Sequence, residues 1–226
     1  MPLTFDDLLA RARDLATGGR RAILGIAGSP GAGKTTLAER LVGELNGPGE
    51  PWAAHVPMDG FHLADVELDR LGRRGRKGAP DTFDAAGYAA LLRRLREEAD
   101  GHTVYAPGFE RVLEQPLAGV IPVPPEIRLV VTEGNYLLLG TGSWPLVRSR
   151  LDEVWFCEID EQERIRRLVA RHEEFGKDHD TAVAWVRGTD QRNADLIAPT
   201  RERADLLVPA SALPAPCRPR RSGAVR

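Results

Sequence analysis

The glycine-rich segment at residues 28–35, GSPGAGKT, constrains the fold more than any other part of this sequence. It matches the pattern G-x-x-x-x-G-K-[ST], a loop whose backbone amides surround phosphate oxygens. Glycines permit such a loop because they adopt left-handed backbone conformations and leave room for a ligand. An apolar run at residues 21–27 precedes the loop, and leucines at helical spacing follow it. The order strand, loop, helix predicts a nucleotide phosphate site.

Each residue type in this loop has an expected task. Lys34 can reach the β- and γ-phosphates of a nucleotide, and the Thr35 hydroxyl can ligate Mg²⁺. The helix that starts at the loop adds the partial positive charge of its N-terminus. We therefore predict ATP and Mg²⁺ as cofactors. The expected nucleotide-binding residues are Gly28, Ser29, Pro30, Gly31, Ala32, Gly33, Lys34, Thr35 and Thr36.

Apolar runs alternate with helical periodicity along the rest of the chain. The segments predicted as strands, beyond residues 21–27, are 52–59, 103–110, 127–134, 154–160 and 206–209. Residues 60–80 are predicted to form a loop or lid, and the proline-rich residues 116–125 to be irregular. The alternation predicts an α/β fold of the P-loop NTPase type, a mainly parallel sheet with helices on both faces and a small lid. Ligands bind such sheets at the carboxyl ends of the strands.

The length of 226 residues predicts one domain. We expect an N-terminal helix within residues 1–18, a P-loop domain over 19–210, and a disordered tail over 211–226. The net charge of -2 argues against nucleic-acid and membrane partners. No apolar run approaches the ~18 residues of a membrane span. Two widely spaced cysteines, with no signal-peptide pattern, predict a cytoplasmic protein without a zinc site.

Four further segments resemble motifs of one enzyme superfamily and occur in the same order. They are PMDGFH (57–62), RKGAPDTFD (76–84), YAPGFER (105–111) and TEGNYLLL (132–139). Together they resemble the superfamily of uridine kinases, phosphoribulokinases and bacterial pantothenate kinases. The resemblance extends over residues 21–208 and is strongest to a nucleoside/nucleotide kinase-like branch that includes proteins called sugar kinases.

The resemblance implies a kinase that moves the γ-phosphate of ATP to a hydroxyl of a small molecule. Asp59 matches the acid that receives the acceptor's proton, a role suited to a carboxylate near the γ-phosphate. Glu133 matches an acid near the metal and substrate. Each acid also has a structural alternative. Asp59 would then be a surface acid at the end of a strand, and Glu133 would be a capping acid. Further substrate contacts implied by the resemblance are His62, Lys77, Tyr105 and Arg111, and Asn193 matches an asparagine near the nucleotide.

Arg164, Arg167 and Arg171 are spaced i, i+3 and i+7 and share one helix face. Such a stripe is ordinarily a solvated face. Because related kinases carry a lid at this position, we expect Arg167 or Arg171 to contact the transferring phosphate as a catalytic residue.

The acceptor stays open between a sugar, a nucleoside and a pantothenate-like alcohol. PMDGFHLAD replaces the D-S-F-Y type sequence of uridine kinases, and the chain is shorter than pantothenate kinases. A homodimer is also left open. The alternative function is a nucleotide-dependent regulator that hydrolyses ATP slowly. Asp59 argues against it, because a switch needs no base beside the γ-phosphate. A nucleic-acid ATPase is disfavoured by the net charge.

Overall fold

The computed structural model describes residues 1–97 and 101–213. The strands are β1 Ala22–Ala27, β2 Ala53–His55, β3 Val104–Glu110, β4 Gln115–Val123, β5 Leu129–Glu133, β6 Glu153–Cys157 and β7 Leu206–Val208. The helices are α1 Phe5–Leu15, α2 Lys34–Asn46, α3 Asp65–Arg70, α4 Ala85–Glu97, α5 Trp144–Arg148, α6 Glu161–Glu174, α7 His179–Trp185 and α8 Gln191–Ile197. Within these ranges no helix has the length and apolar character needed to cross a membrane.

Five strands form a parallel sheet in the order β2-β5-β1-β6-β7. β1 lies at the centre, and Ile26 near its end is in register with Glu133 of β5. The phosphate loop that follows β1 and the acid at the end of β5 therefore reach the same edge of the sheet. The predicted α/β fold with a mainly parallel sheet is confirmed.

Side chains of the central strand alternate between two hydrophobic cores. Ile23 packs into the core that α4 and α5 cover, whereas Leu24 and Ile26 pack into the core that α1 and α2 cover. This alternation is the pleat of a strand that is buried on both faces. The predicted N-terminal helix is present, and its Leu8 side chain is fully buried in the second core. The domain boundaries placed after residues 18 and 210 remain predictions.

The proline-rich residues 116–125 were predicted to be irregular, and this was wrong. They form most of β4, which pairs antiparallel with β3 in a hairpin outside the main sheet. Pro116 and Pro122 are tolerated because a two-stranded hairpin leaves an outer edge that needs no backbone donor. The structure thus adds a hairpin above the strand ends, where a loop was expected.

Two further expectations are corrected around β2. The strand ends at His55, not at Asp59, because Pro57 cannot donate a ladder hydrogen bond. Asp59 lies instead in a 3₁₀ turn, Met58–Phe61. Residues 60–80 are not one loop, since they include α3 and a short 3₁₀ turn, Arg74–Arg76.

α7 and α8 belong to one helical segment with an irregular middle. α7 continues through a π-helical turn, Val186–Asp190, into α8. Such turns widen a helix locally and are common at functional sites. The tail predicted to be disordered lies mostly at 214–226, outside the described residues.

Candidate active site

The loop between β1 and α2 has the backbone conformation of a phosphate cradle. Gly28, Gly31 and Gly33 have φ angles of 147°, 83° and 85°. A side chain at Gly31 would place its Cβ 2.9 Å from Leu168 Cγ of α6, so a larger residue would clash there. These two constraints explain why the segment needs glycine at these positions.

Lys34 starts α2 and is almost fully buried beneath this loop. Its Nζ donates a hydrogen bond to the carbonyl oxygen of Ser29, 3.1 Å away. Burial lowers the pKa of the ammonium group, and the nearby carboxylate of Glu133 opposes that shift. A buried ammonium group with one neutral hydrogen-bond partner favours an anion beside it.

Thr35 and Glu133 form a second polar pair at the floor of the site. The Thr35 hydroxyl donates to Glu133 Oε1 at 3.1 Å. Burial raises the pKa of Glu133, and the negative charge of Asp59 raises it further. A hydroxyl and a desolvated carboxylate that face one another are the oxygen ligands that Mg²⁺ prefers. The residues present therefore fit a magnesium ion at this position.

Asp59 lies across the site from the loop and is partly exposed. The following Gly60 approaches the hairpin so closely that a Cβ would lie 2.4 Å from the carbonyl oxygen of Pro107. That contact holds the 3₁₀ turn against β3. The Asp59 carboxylate lies 3.8 Å from the guanidinium of Arg111, which the hairpin supplies. The acid and its counter-ion thus come from two separate elements.

His62 and Lys77 form the wall beyond Asp59. His62 Nδ1 donates to the carbonyl oxygen of Asp59 at 2.9 Å. The centre of the His62 ring lies 4.0 Å from the ring centre of Phe83 and 4.9 Å from that of Phe109. Lys77 pairs with Asp65 at 2.7 Å. Burial lowers the pKa of His62, so the ring favours its neutral form.

The structure separates the three arginines of α6. Arg164 is buried, and it contacts Glu161 at 2.7 Å and the side chain of Gln191. Arg167 donates to Glu163, and its guanidinium lies beside Gly33 of the phosphate loop. Only Arg171 of the three faces the central cleft. The shared face predicted from sequence therefore meets three different environments.

The cleft that these groups surround has a volume of about 490 Å³. Tyr105 does not contribute to it, because its side chain is exposed on β3. Asn193 does, and its amide donates to the carbonyl oxygen of Gly78 at 3.4 Å. The sequence-predicted residues that line the cleft are Pro30, Gly31, Lys34, Thr35, Asp59, His62, Lys77, Arg111, Glu133, Arg171 and Asn193.

Sequence reasoning missed several cleft residues on the α6–α7 side. His172 Nε2 donates to Asp190 at 2.9 Å, and the His172 ring packs against Trp185. The ammonium of Lys177 lies 5.3 Å from the centre of the Trp185 ring. No sequence pattern joins these residues, because their meeting depends on the π-helical turn and on how α6 and α7 pack.

Comparison with known proteins shows which family the chain belongs to. The profile described as the Phosphoribulokinase / Uridine kinase family matches residues 23–214. The chain belongs to this family. It is a P-loop kinase that phosphorylates an alcohol group of a small molecule. The resemblance stated from sequence is thereby confirmed.

Two curated relatives align with more than two thirds of this chain. A protein named as a uridine kinase from Schizosaccharomyces pombe is 34% identical over 174 residues, which are 75% of this chain and 74% of the relative. An ATP-dependent kinase-like protein from Aspergillus versicolor is 36% identical over 162 residues, 68% of this chain and 94% of the relative.

Solved structures agree in fold. A protein described as a fructose transport system kinase from Silicibacter sp. TM1040 is 36% identical, with a TM-score of 0.82 over 92% of this chain and 100% of its own. A D-glycerate 3-kinase from Cryptococcus neoformans has a TM-score of 0.64 at 13% identity, over 92% of this chain and 93% of its own, and shows the shared fold alone.

Proposed function

We propose that this kinase uses Mg²⁺ and ATP to phosphorylate a hydroxyl of a small metabolite, with Asp59 as the base. The observation that carries the proposal is that Asp59 lines the same cleft as Lys34, Thr35 and Glu133. A nucleotide phosphate held by the loop therefore has a carboxylate within the same 490 Å³ space. A protein that only binds or slowly hydrolyses ATP has no need of that acid.

Cations from two sides support the binding of the phosphates. Lys34 lies under the loop, and Arg111 and Arg171 face the cleft from the hairpin and from α6. The charge of Arg111 lowers the pKa of Arg171, after the larger effect of desolvation. A phosphate group between the two guanidinium groups would relieve this repulsion. Magnesium held by Thr35 and Glu133 would supply positive charge to the phosphate oxygens.

The transfer step follows from the position of Asp59. The acceptor hydroxyl gives its proton to the Asp59 carboxylate while its oxygen forms a bond to the γ-phosphorus, and the bond to the bridging oxygen of ADP breaks. The guanidinium of Arg111 lies 3.8 Å from the Asp59 carboxylate and can orient it before the acceptor binds. We propose that the guanidinium of Arg171 stabilises the negative charge that develops on the transferred phosphoryl group.

The acceptor class stays at sugars, nucleosides and pantothenate-like alcohols. The names of three similar proteins mention uridine, fructose transport and D-glycerate. Each of these three compounds bears hydroxyl groups. His62 and Lys77 lie on the wall beyond Asp59 and are proposed to contact the acceptor.

An acceptor screen tests this function. The purified chain is mixed with ATP, Mg²⁺ and single members of a panel of sugars, nucleosides and hydroxy acids, and ADP release and product mass are measured. We expect at least one acceptor to accelerate ADP release and to gain the mass of one phosphoryl group. A slow ADP release that no acceptor changes would instead favour the nucleotide-dependent regulator.

A further inference from the structure

Two neighbouring residues where the π-helical turn meets α8 bond the two ends of α6. Asp190 Oδ2 accepts a hydrogen bond from His172 Nε2 at 2.9 Å. Gln191 Oε1 accepts one from the guanidinium of Arg164. Arg164 lies near the start of α6 and His172 in its last turn, so the two bonded residues are about 12 Å apart along the helix axis. The junction of the turn with α8 therefore holds α6 over most of its length.

The ring of His172 is held on more than one side. The Trp185 ring meets it edge-on, with the ring centres 6.4 Å apart. The backbone amide of Lys177 donates to the carbonyl oxygen of His172 at 3.1 Å. The side chains of His172 and Asp190 are only 14% and 11% exposed. A hydrogen bond between such buried partners fixes the orientation of the last turn of α6.

Arg171 precedes His172 in this last turn. It is the arginine of α6 that lines the main cleft, the space of about 490 Å³ beside the phosphate loop. Its guanidinium makes no hydrogen bond and no ion pair with a residue in the described part of the chain. A long side chain without such a bond has many rotamers. Its direction therefore depends on its backbone and on the charges around it.

Asp190 provides one of these charges. It lines the main cleft together with Arg171. Desolvation lowers the pKa of Arg171 and the charge of Arg111 lowers it further, whereas the carboxylate of Asp190 gives the largest opposing effect. Asp190 thus acts on Arg171 in two ways. It fixes the backbone of the last turn through His172, and its charge attracts the guanidinium.

The packing of α6 does not by itself explain a polar pair in this wall. Leu168 is fully buried and packs against Gly31 of the phosphate loop. The bond between Arg164 and Gln191 adds a second contact. A further hydrogen bond beside the cleft is expected where a functional side chain must keep one direction, because such side chains are held by the residues that support them.

We propose that His172 and Asp190 are positioning residues of this kinase and hold Arg171 towards the phosphoryl group in transfer. The inference rests on the proposed function, because it assigns both residues to the phosphate contact of Arg171. Neither residue takes part in making or breaking a bond. The π-helical turn is essential to the arrangement, since it ends at Asp190 and directs that carboxylate to α6.

Isothermal titration calorimetry measures this positioning without an acceptor. ADP with Mg²⁺ is titrated with and without tetrafluoroaluminate, which mimics the transferring phosphoryl group beside ADP. The gain in ADP affinity on adding the fluoride complex reports the contacts made to that group. Arg171→Ala should lower the gain by about tenfold, and His172→Phe and Asp190→Ala by about three- to tenfold, the range for one hydrogen bond. The affinity for ADP alone should change less than about twofold, which also shows that the variants fold.

The sign of the effect separates positioning from the charge of the cleft. Loss of a negative charge at Asp190 should by itself strengthen the binding of an anion, whereas loss of positioning weakens it. His172→Gln keeps a donor near the position of Nε2 and should restore the wild-type gain within about twofold. The matched control is His179→Phe, which removes an exposed bond from α7 to Glu173 of α6 and lies outside the cleft. It should behave like the wild type.

The double variant Arg171→Ala/Asp190→Ala decides whether Asp190 acts through Arg171. Its gain should equal that of Arg171→Ala, because a positioning residue has no effect once the residue that it positions is absent. An additional loss as large as that of Asp190→Ala alone would overturn the inference. A wild-type gain in both His172→Phe and Asp190→Ala, with a lower melting temperature, would show that the pair is purely structural. A chain with the expected gains that phosphorylates no acceptor contradicts the kinase proposal alone.

Discussion

At the residue scale, the site contains several groups whose charge the surrounding protein makes costly. Lys34 is buried with a lowered pKa, and Glu133 is buried with a raised one. Each would gain from the ligand of opposite charge that the proposed function supplies, a phosphate for Lys34 and magnesium for Glu133. Such groups are expected where binding energy is needed for function rather than for folding.

Lys34→Ala should reduce phosphoryl transfer by about 10²–10³-fold, the usual loss for one preorganised group that stabilises transition-state charge. Folding should be preserved, because the change removes a buried charge that lacks an anionic hydrogen-bond partner. Coupled ADP release and circular dichroism measure the two effects. Arg40→Ala, an exposed residue of the same helix, is the control and should retain activity. Wild-type turnover in the Lys34 variant would refute the phosphate assignment.

Asp59→Asn should keep nucleotide binding and lose transfer by about 10²–10⁴-fold, because an amide cannot accept the acceptor's proton. Nucleotide titration and single-turnover transfer are measured on the same preparation. The matched control is Asp69→Asn, an exposed carboxylate on α3. If the variant loses nucleotide binding but transfers normally once loaded, Asp59 is a metal ligand or a structural residue.

His55 should make the stability of the protein depend on pH. Burial lowers its pKa from 6.5 to about 4 in the folded chain, so the unfolded chain binds more protons between these values. The free energy of unfolding should therefore fall as pH decreases from 6.5 towards 4. Urea unfolding of wild type and His55→Phe across this range measures the effect. The stability advantage of the variant should grow as pH falls, and a constant difference would contradict the buried neutral histidine.

At the element scale, one helix places similar side chains in different roles. α6 buries Arg164, directs Arg167 to Glu163 beside the loop, and points Arg171 into the cleft. Helical spacing puts the three on one face, but that face runs past the phosphate loop and then along the main cleft. The lid that the sequence predicts at this helix stays a prediction, and Arg171 is the arginine of the three that can serve it from the cleft.

Arg171→Ala should lower kcat by about tenfold or more and change the KM for ATP less, because its charge is needed most in the transition state. Hydrogen exchange over residues 161–177 should slow when an ATP analogue and acceptor are both bound. Arg166→Ala, exposed on the same helix, is the control. Equal kinetics for both variants, with exchange that ignores ligands, would remove the lid assignment.

At the scale of the whole molecule, the site depends on junctions between elements that are distant in sequence. The hydroxyl of Tyr88 on α4 bonds Thr132 of β5, and the Thr132 hydroxyl bonds the carbonyl oxygen of Val56 after β2. All three lie in the buried core. This chain of hydrogen bonds ties a covering helix to β5, which ends at Glu133, and to the segment after β2 that leads to Asp59.

Tyr88→Phe should lower the free energy of unfolding by about 1 kcal/mol, because one buried hydrogen bond is lost while the ring still packs. For a protein of this size the melting temperature should fall by about 2–4 °C. Tyr105→Phe, exposed on the hairpin, should leave both quantities unchanged. A Tyr88 variant as stable as the wild type would show that the network adds no net stability.

Much of the fold was predictable because its signals are local. The phosphate loop follows from glycines, one lysine and one threonine between a strand and a helix, a pattern that lies within one short segment. The parallel sheet follows from apolar runs that alternate with helical periodicity. Asp59 and Glu133 were placed near the loop because parallel strands end at one edge, which is a rule of topology rather than of any single contact.

The sequence by itself determined the phosphate loop, the parallel sheet and the acids at its edge, since each depends on residue type and chain order. Only the tertiary structure decided that Arg171 rather than Arg164 faces the cleft, that residues 115–123 pair as a strand, and that His55 lines a second cavity. These outcomes depend on which surfaces pack against each other in the folded chain. The packing energies come from contacts between segments that are distant in sequence. Helical spacing and proline content describe one segment at a time, so neither contains that information.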